Sequence, residues 1–123
     1  MATLNDRVFD NGLTVLDTEA NKILITSQEA TTYTEANATY ALGNSTSLSI
    51  GAPQDRTGGG REVVVASISD GTVTATGTAT HYAIVDTANS RLLATGSLSA
   101  SQVVTSGNSF TLSSVTIGIP DPA

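Results

Sequence analysis

From Thr72 to Asp86 the chain reads TVTATGTATHYAIVD, and no other stretch constrains its fold as strongly. Thr72, Thr74, Thr76, Thr78 and Thr80 share one parity, and Val73, Ala75, Gly77, Ala79, His81, Ala83 and Val85 share the other. A period of two sustained this long is the signature of a strand. β-Branched Thr suits a pleated surface and resists the helix. Unbroken, the strand would run roughly 50 Å at about 3.3 Å per residue. Most strands are shorter, so a bend or bulge is expected near Gly77.

Neighbouring segments supply partners. REVVVASIS (Arg61 to Ser69) reads as a strand joined to the long one by Asp70-Gly71, a strong two-residue hairpin signal. Downstream, SLSASQVV and SFTLSSVTIGI flank TSGN, a second hairpin turn. In the last segment Phe110 and Leu112 share one parity, and Val115, Ile117 and Ile119 the other, which predicts a bulge at Ser113-Ser114. Pro120 and Pro122 then end the pairing. STSLSIG alternates and reads as a short strand, whereas SQEATTYTEANATYALG reads as extended or irregular chain. The start, LNDRVFDNGLTVL, allows one helical turn over Leu4 to Phe9 or an extended arm over residues 1–12, with a turn at Asp10 to Gly12. The expected fold is all-β: one domain, an antiparallel sandwich or small barrel of about eight strands with little or no helix.

Two segments echo each other: LDTEANKILIT (Leu16 to Thr26) and VDTANSRLLAT (Val85 to Thr95). Asp and Asn favour turns through bonds to local backbone. The economical reading is two β-hairpins of similar build, with Asp17 and Asp86 shaping the turns rather than acting as a catalytic carboxylate pair.

Composition narrows the function. The 123 residues hold 27 Val, Ile and Leu but two Phe, three Tyr and no Trp, so the core is built of small pieces. Association with copies of itself or a partner would offset a thin core. Charged residues are 13% of the chain, against about 25% in ordinary soluble domains, and 20 Thr and 14 Ser fill the gap. Net charge is −6 and the five basic residues are scattered, so no basic face exists for nucleic acid. No apolar run approaches membrane-spanning length, no Cys is present, and MATLNDRVFDNG lacks the pattern of a secretory signal.

Catalytic arrangements find little support. His81 is the lone histidine, there is no G-x-S-x-G nucleophile elbow, and a zinc site would lack ligands. GAPQDRTGGGR (Gly51 to Arg61) is an exposed, glycine-rich loop, yet no Lys follows and the next element is a strand, so it is not a phosphate loop. NAT (Asn37 to Thr39) and NST (Asn44 to Thr46) match the glycosylation pattern as chance matches in a Thr- and Asn-rich chain. No cofactor or metal is expected.

The segments NDRVFDNGLTVLDTEANKILITSQEATTYTEA, DGTVTATGTATHYAIVDTANSRLLATGSLSASQVVTSGN and FTLSSVTIGIPD resemble a family of small virion structural proteins of tailed bacteriophages and prophages. The resemblance spans nearly the whole chain and carries no catalytic motif. It implies a head decoration, or cement, protein: a trimer on the capsid exterior, made in the host cytoplasm, whose partner is the major capsid protein. It fixes no functional residue. The contact surfaces expected on the residues' own merits are the acidic N-terminal segment, with Asn5, Asp6, Arg7, Phe9, Asp10 and Leu13, and the loop at Gly58, Gly59 and Gly60. An extended arm can add a strand to a neighbour's sheet edge. Two other readings compete. One is a tail or receptor-binding module recognising carbohydrate, with Tyr33, Tyr40 and Tyr82 as the aromatic candidates. The other is a small hydrolase using a carboxylate pair.

Overall fold

The computed structural model describes residues 3–4, 12–55 and 61–119. These form β1 (Thr3–Leu4), α1 (Thr14–Glu19), β2 (Lys22–Thr26), a π-type turn (Glu35–Thr39), β3 (Ala41–Ser45), β4 (Gln54–Asp55), β5 (Arg61–Val65), β6 (Ile68–Val73), β7 (Gly77–Asp86), β8 (Arg91–Val104), β9 (Ser109–Leu112) and β10 (Val115–Ile119). A seven-stranded sheet has the order β1-β8-β7-β2-β3-β6-β9, and a three-stranded sheet the order β10-β5-β4. Every pairing is antiparallel. The fold is all-β and antiparallel with little helix, as expected; among the described residues eight strands of four or more residues are joined by two of only two residues, β1 and β4.

Both sheets feed one core. Val63, Val65 and Ile117 of the small sheet join Ile23, Ile25, Ile84 and Leu93 of the large one. The central strands are covered on their other face too. Leu24, Ala83 and Val85 pack there with Ala30 and Ala36, under the 30–40 segment and its Tyr33 and Tyr40. This is why KILIT reads as a nearly continuous apolar run: neither face of β2 meets water.

The long alternating segment is broken at residues 74–76, just before Gly77, where a bend was expected. There Thr74 and Ala75 donate backbone N–H groups to the Leu42 carbonyl (2.8 and 3.1 Å). TSGN is not a hairpin turn. β9 pairs with β6, and β8 pairs with β7. Thr72 pairs with Ser109 and Gly77 with Val104, so the four residues between them on one strand (73–76) match four on the other (105–108). β6–β7 and β8–β9 are therefore one long ribbon, bent where 73–76 and 105–108 run side by side. Gly107 (φ +92°) sits in this corner and donates to the Val73 carbonyl at 3.0 Å.

Nor is Asp70-Gly71 a turn: both residues lie inside β6. Gly71 is there because the Phe110 ring lies over it in cross-strand register, and a Cβ would come within 2.3 Å of that ring. The strand expected over Arg61 to Ser69 divides at Ala66-Ser67, where the chain passes from the small sheet to the large one. Ser113-Ser114 is a second such passage, between β9 and β10, rather than a bulge within one strand. STSLSIG contributes an isolated bridge, Ile50 with Val65, rather than a strand.

The alternation also changes phase along β7. Ala79, Tyr82 and Ile84 face the main core, while Ala83 and Val85 face the outer cluster. The switch falls at Thr80, where four residues of β8 (Leu98 to Ser101) oppose this single residue. The parity shared by Ala79, Ala83 and Val85 in the sequence thus does not place them on one face.

Of the two echoes, one is a hairpin. VDTANSRLLAT forms the β7–β8 turn, with Asp86 accepting from the Ala88 N–H (3.0 Å) and the Asn89 amide (2.7 Å). LDTEANKILIT instead forms α1 and β2, and Asp17 sits exposed on the helix without a turn role. Val15 and Leu16 are buried here, so tertiary packing favours the helical turn over the turn chemistry of Asp17. The halves of the echo that do correspond are KILIT and RLLAT, which flank β7 on its two sides.

Candidate binding cleft

The anticipated contact residues Asn5, Asp6, Arg7, Phe9, Asp10, Gly58, Gly59 and Gly60 lie outside the described residues. Leu13 is described and is only 5% exposed, packed in the main core ahead of α1, so its side chain serves folding rather than a free surface.

Several of the described ionisable side chains are engaged in local structure. Glu35 accepts from the Thr31 N–H and hydroxyl (both 2.8 Å), and the Glu35 N–H donates to the Thr32 hydroxyl (3.1 Å). This is a reciprocal cap at the head of the π-type turn, closed by the Tyr40 N–H donating to the Glu35 carbonyl (2.8 Å). The Thr31 bonds hold the Glu35 carboxyl below its ordinary range. The Glu35 charge in turn pushes the Tyr40 phenol up, with burial and their 3.3 Å hydrogen bond adding to the effect. Arg91 pairs with Glu19 at 3.4 Å, Ser47 donates to Asp70, and Gln54 donates to Glu62. His81 Nδ1 lies 2.8 Å from the hydroxyl of its neighbour Thr80. Among the described residues no three His, Cys, Asp or Glu side chains gather as a metal site would require.

A concave site exists elsewhere. A cleft of about 350 Å³ opens where the bulged part of β8 faces the β9–β10 passage. One wall is Gly96 to Ala100 with Gln102; the other is Leu112 to Thr116; Tyr82 lies at the base between them. Two features of the chain make it. Four residues of β8 arch away from β7 opposite Thr80, and Ser113-Ser114 leads the chain out of the large sheet. The Gln102 amide donates to the Thr111 carbonyl (3.0 Å) and ties the walls together.

Tyr82 is 5% exposed, and its ring lies over Gly96, its cross-strand partner; a Cβ on Gly96 would fall 2.5 Å from the ring. Burial pushes the Tyr82 phenol up, so it stays neutral through the physiological range. Among the described residues, no charged side chain lines the cleft. The sequence signals for it are the serine-rich run SLSAS, whose alternation gives no hint of the bulge, and SS, where the alternation slips; of the lining residues, sequence reasoning singled out Tyr82 alone as a candidate. Comparison with family models, curated proteins and solved structures gives no match for this chain.

Proposed function

We propose that the chain is a non-enzymatic structural protein of a tailed-phage particle: a decoration protein, trimeric, bound to the major capsid protein on the head exterior. The observation that carries the non-enzymatic part is the use made of its ionisable groups. Glu35 caps a turn, Asp86 shapes a hairpin, Glu19 and Arg91 pair with each other, and His81 meets Thr80. None of them lines the one cleft described above. The resemblance in sequence supports the placement on a virion.

Decoration would stabilise a shell by mass action. A ligand that binds only the assembled state adds roughly 2.7 kcal/mol at a hundredfold excess over its Kd. A trimer adds avidity where all subunits engage together. The contact surface is proposed at Asn5, Asp6, Arg7, Phe9 and Asp10 with the Gly58–Gly60 loop; Leu13, being buried, is left out. The test is copy number by quantitative mass spectrometry of purified particles, scaled to the major capsid protein, with wild-type chain and with residues 2–12 deleted. A simple stoichiometric ratio that collapses on deletion, while the isolated domain stays folded, is the expected result. A ratio of a few per cent, or full occupancy by the truncated chain, refutes it.

A further inference from the structure

The cleft between the β8 bulge and the β9–β10 passage has the chemistry of a site for a neutral ligand. Its lining is half polar: the hydroxyls of Ser97, Ser99, Ser113, Ser114 and Thr116, with the Gln102 amide. Hydroxyls both donate and accept, and an amide offers one group of each kind. Leu98, Leu112 and Val115 supply an apolar surface among them. The volume of about 350 Å³ lies within the range of small-molecule sites, about 300–1,000 Å³.

What the lining lacks among the described residues, a charged side chain, is equally selective. A bound phosphate, carboxylate or ammonium group would lose its hydration without a counter-charge, which is costly. An extended peptide is disfavoured for a different reason. Strand addition needs a regular edge of alternating N–H and C=O groups. Here the edge is buckled, with four residues opposite one. A compact ligand carrying many hydroxyls and an apolar C–H face meets both halves of this lining. We infer that the cleft binds a neutral saccharide, one or two sugar units in size, through the serine hydroxyls and Gln102. The inference does not depend on virion placement.

The test is a titration of the isotopically labelled, full-length chain, followed by amide NMR. The probes are glucose, galactose, mannose, N-acetylglucosamine and their neutral disaccharides, with sialic acid and inorganic phosphate as charged comparators. Saturable shifts centred on residues 96–102 and 112–116 are expected with at least one neutral sugar. Gln102→Ala should weaken that binding by about tenfold, the weight of one hydrogen bond with its partner left unpaired. Ala100→Trp, at an exposed position, should fill the cleft and abolish binding while leaving the remaining spectrum unchanged. No neutral sugar shifting these resonances, or shifts centred elsewhere, would overturn the assignment. So would equal binding by a correctly folded Ala100→Trp chain, or a preference for the charged comparators. A neutral Ser/Thr-rich peptide that shifts the cleft resonances where no sugar does would likewise overturn it, in favour of strand addition.

Discussion

Gly71→Ala isolates the packing logic of the sheet, because two effects of known sign oppose each other there. On backbone grounds alone, Ala inside a strand should gain roughly 0.5–1 kcal/mol over Gly. At Gly71, however, the new Cβ would stand 2.3 Å from Cε1 and Cζ of Phe110, inside any real contact distance. The ring cannot slide freely to make room. It is 3% exposed and also packs close to the Gly43 backbone, where an added Cβ would fall about 3.0 Å from the same Cε1. Over-packing of this kind costs about 1–3 kcal/mol, and losing a buried Phe outright costs about 3–5 kcal/mol. The expected net loss is about 2–3 kcal/mol, with the ring partly displaced. For a chain of this size that lowers Tm by roughly 8–12 °C. Denaturant unfolding followed by far-UV circular dichroism measures it, and Phe110→Leu provides the second arm of a double-mutant cycle. In the Phe110→Leu background the Gly71→Ala cost should shrink by at least about 1 kcal/mol. If Gly71→Ala is neutral or stabilising, or costs the same in both backgrounds, the ring is not what reserves that position for glycine.

Two further substitutions test other parts of the description. Asp86→Ala removes two hydrogen bonds from a carboxylate only 2% exposed and should cost about 1–3 kcal/mol. Asp17→Ala, exposed on α1, should stay within about 0.5 kcal/mol in the same unfolding assay. Glu35 carries a folded-state pKa below its ordinary value. Its contribution to stability is therefore complete above about pH 4.3 and disappears as pH falls through the folded-state value. Comparing wild type with Glu35→Gln across pH 2 to 6, at about half-unit steps, should show the difference closing at the acid end. The same substitution should let the Tyr40 phenol titrate nearer its ordinary value, read by ultraviolet difference absorbance.

The strand content was legible because β-branched alternation has no helical counterpart; the pairing was not. Asp70-Gly71 looks like a turn by local chemistry, and only the arrival of Phe110 across the ladder shows why a glycine stands in mid-strand. TSGN does reverse local direction, but the partner waiting for β9 is β6, which no nearest-neighbour rule selects. In the first echo the turn chemistry of Asp17 is overridden by burial of Val15 and Leu16, a tertiary effect that the local pattern does not encode. Legibility was poorer still for the site. Tyr82 was visible as one of three aromatic candidates, but the two serine-rich walls come together only through a bulge and a change of sheet, 16 residues apart between Ser97 and Ser113. The phase slip at Ser113-Ser114 was readable, though its meaning as a passage between sheets was not.

The continuity of the bent ribbon, bulged but never interrupted by another strand, bears on how the chain finds its fold. Residues 68–86 and 91–112 meet through a single short reversal at Thr87 to Ser90, so pairing can propagate outward from that reversal one rung at a time. Each new rung then closes only a small additional loop, which keeps the entropic cost of long-range contacts low. In the finished sheet β2 pairs with β7 and β3 with β6, so both lie on the one edge that such a ribbon would present to them. A protein rich in non-local strand contacts can thus assemble from a nucleus that is local in sequence, with the corner at 74–76 as the point the growing ladder must turn.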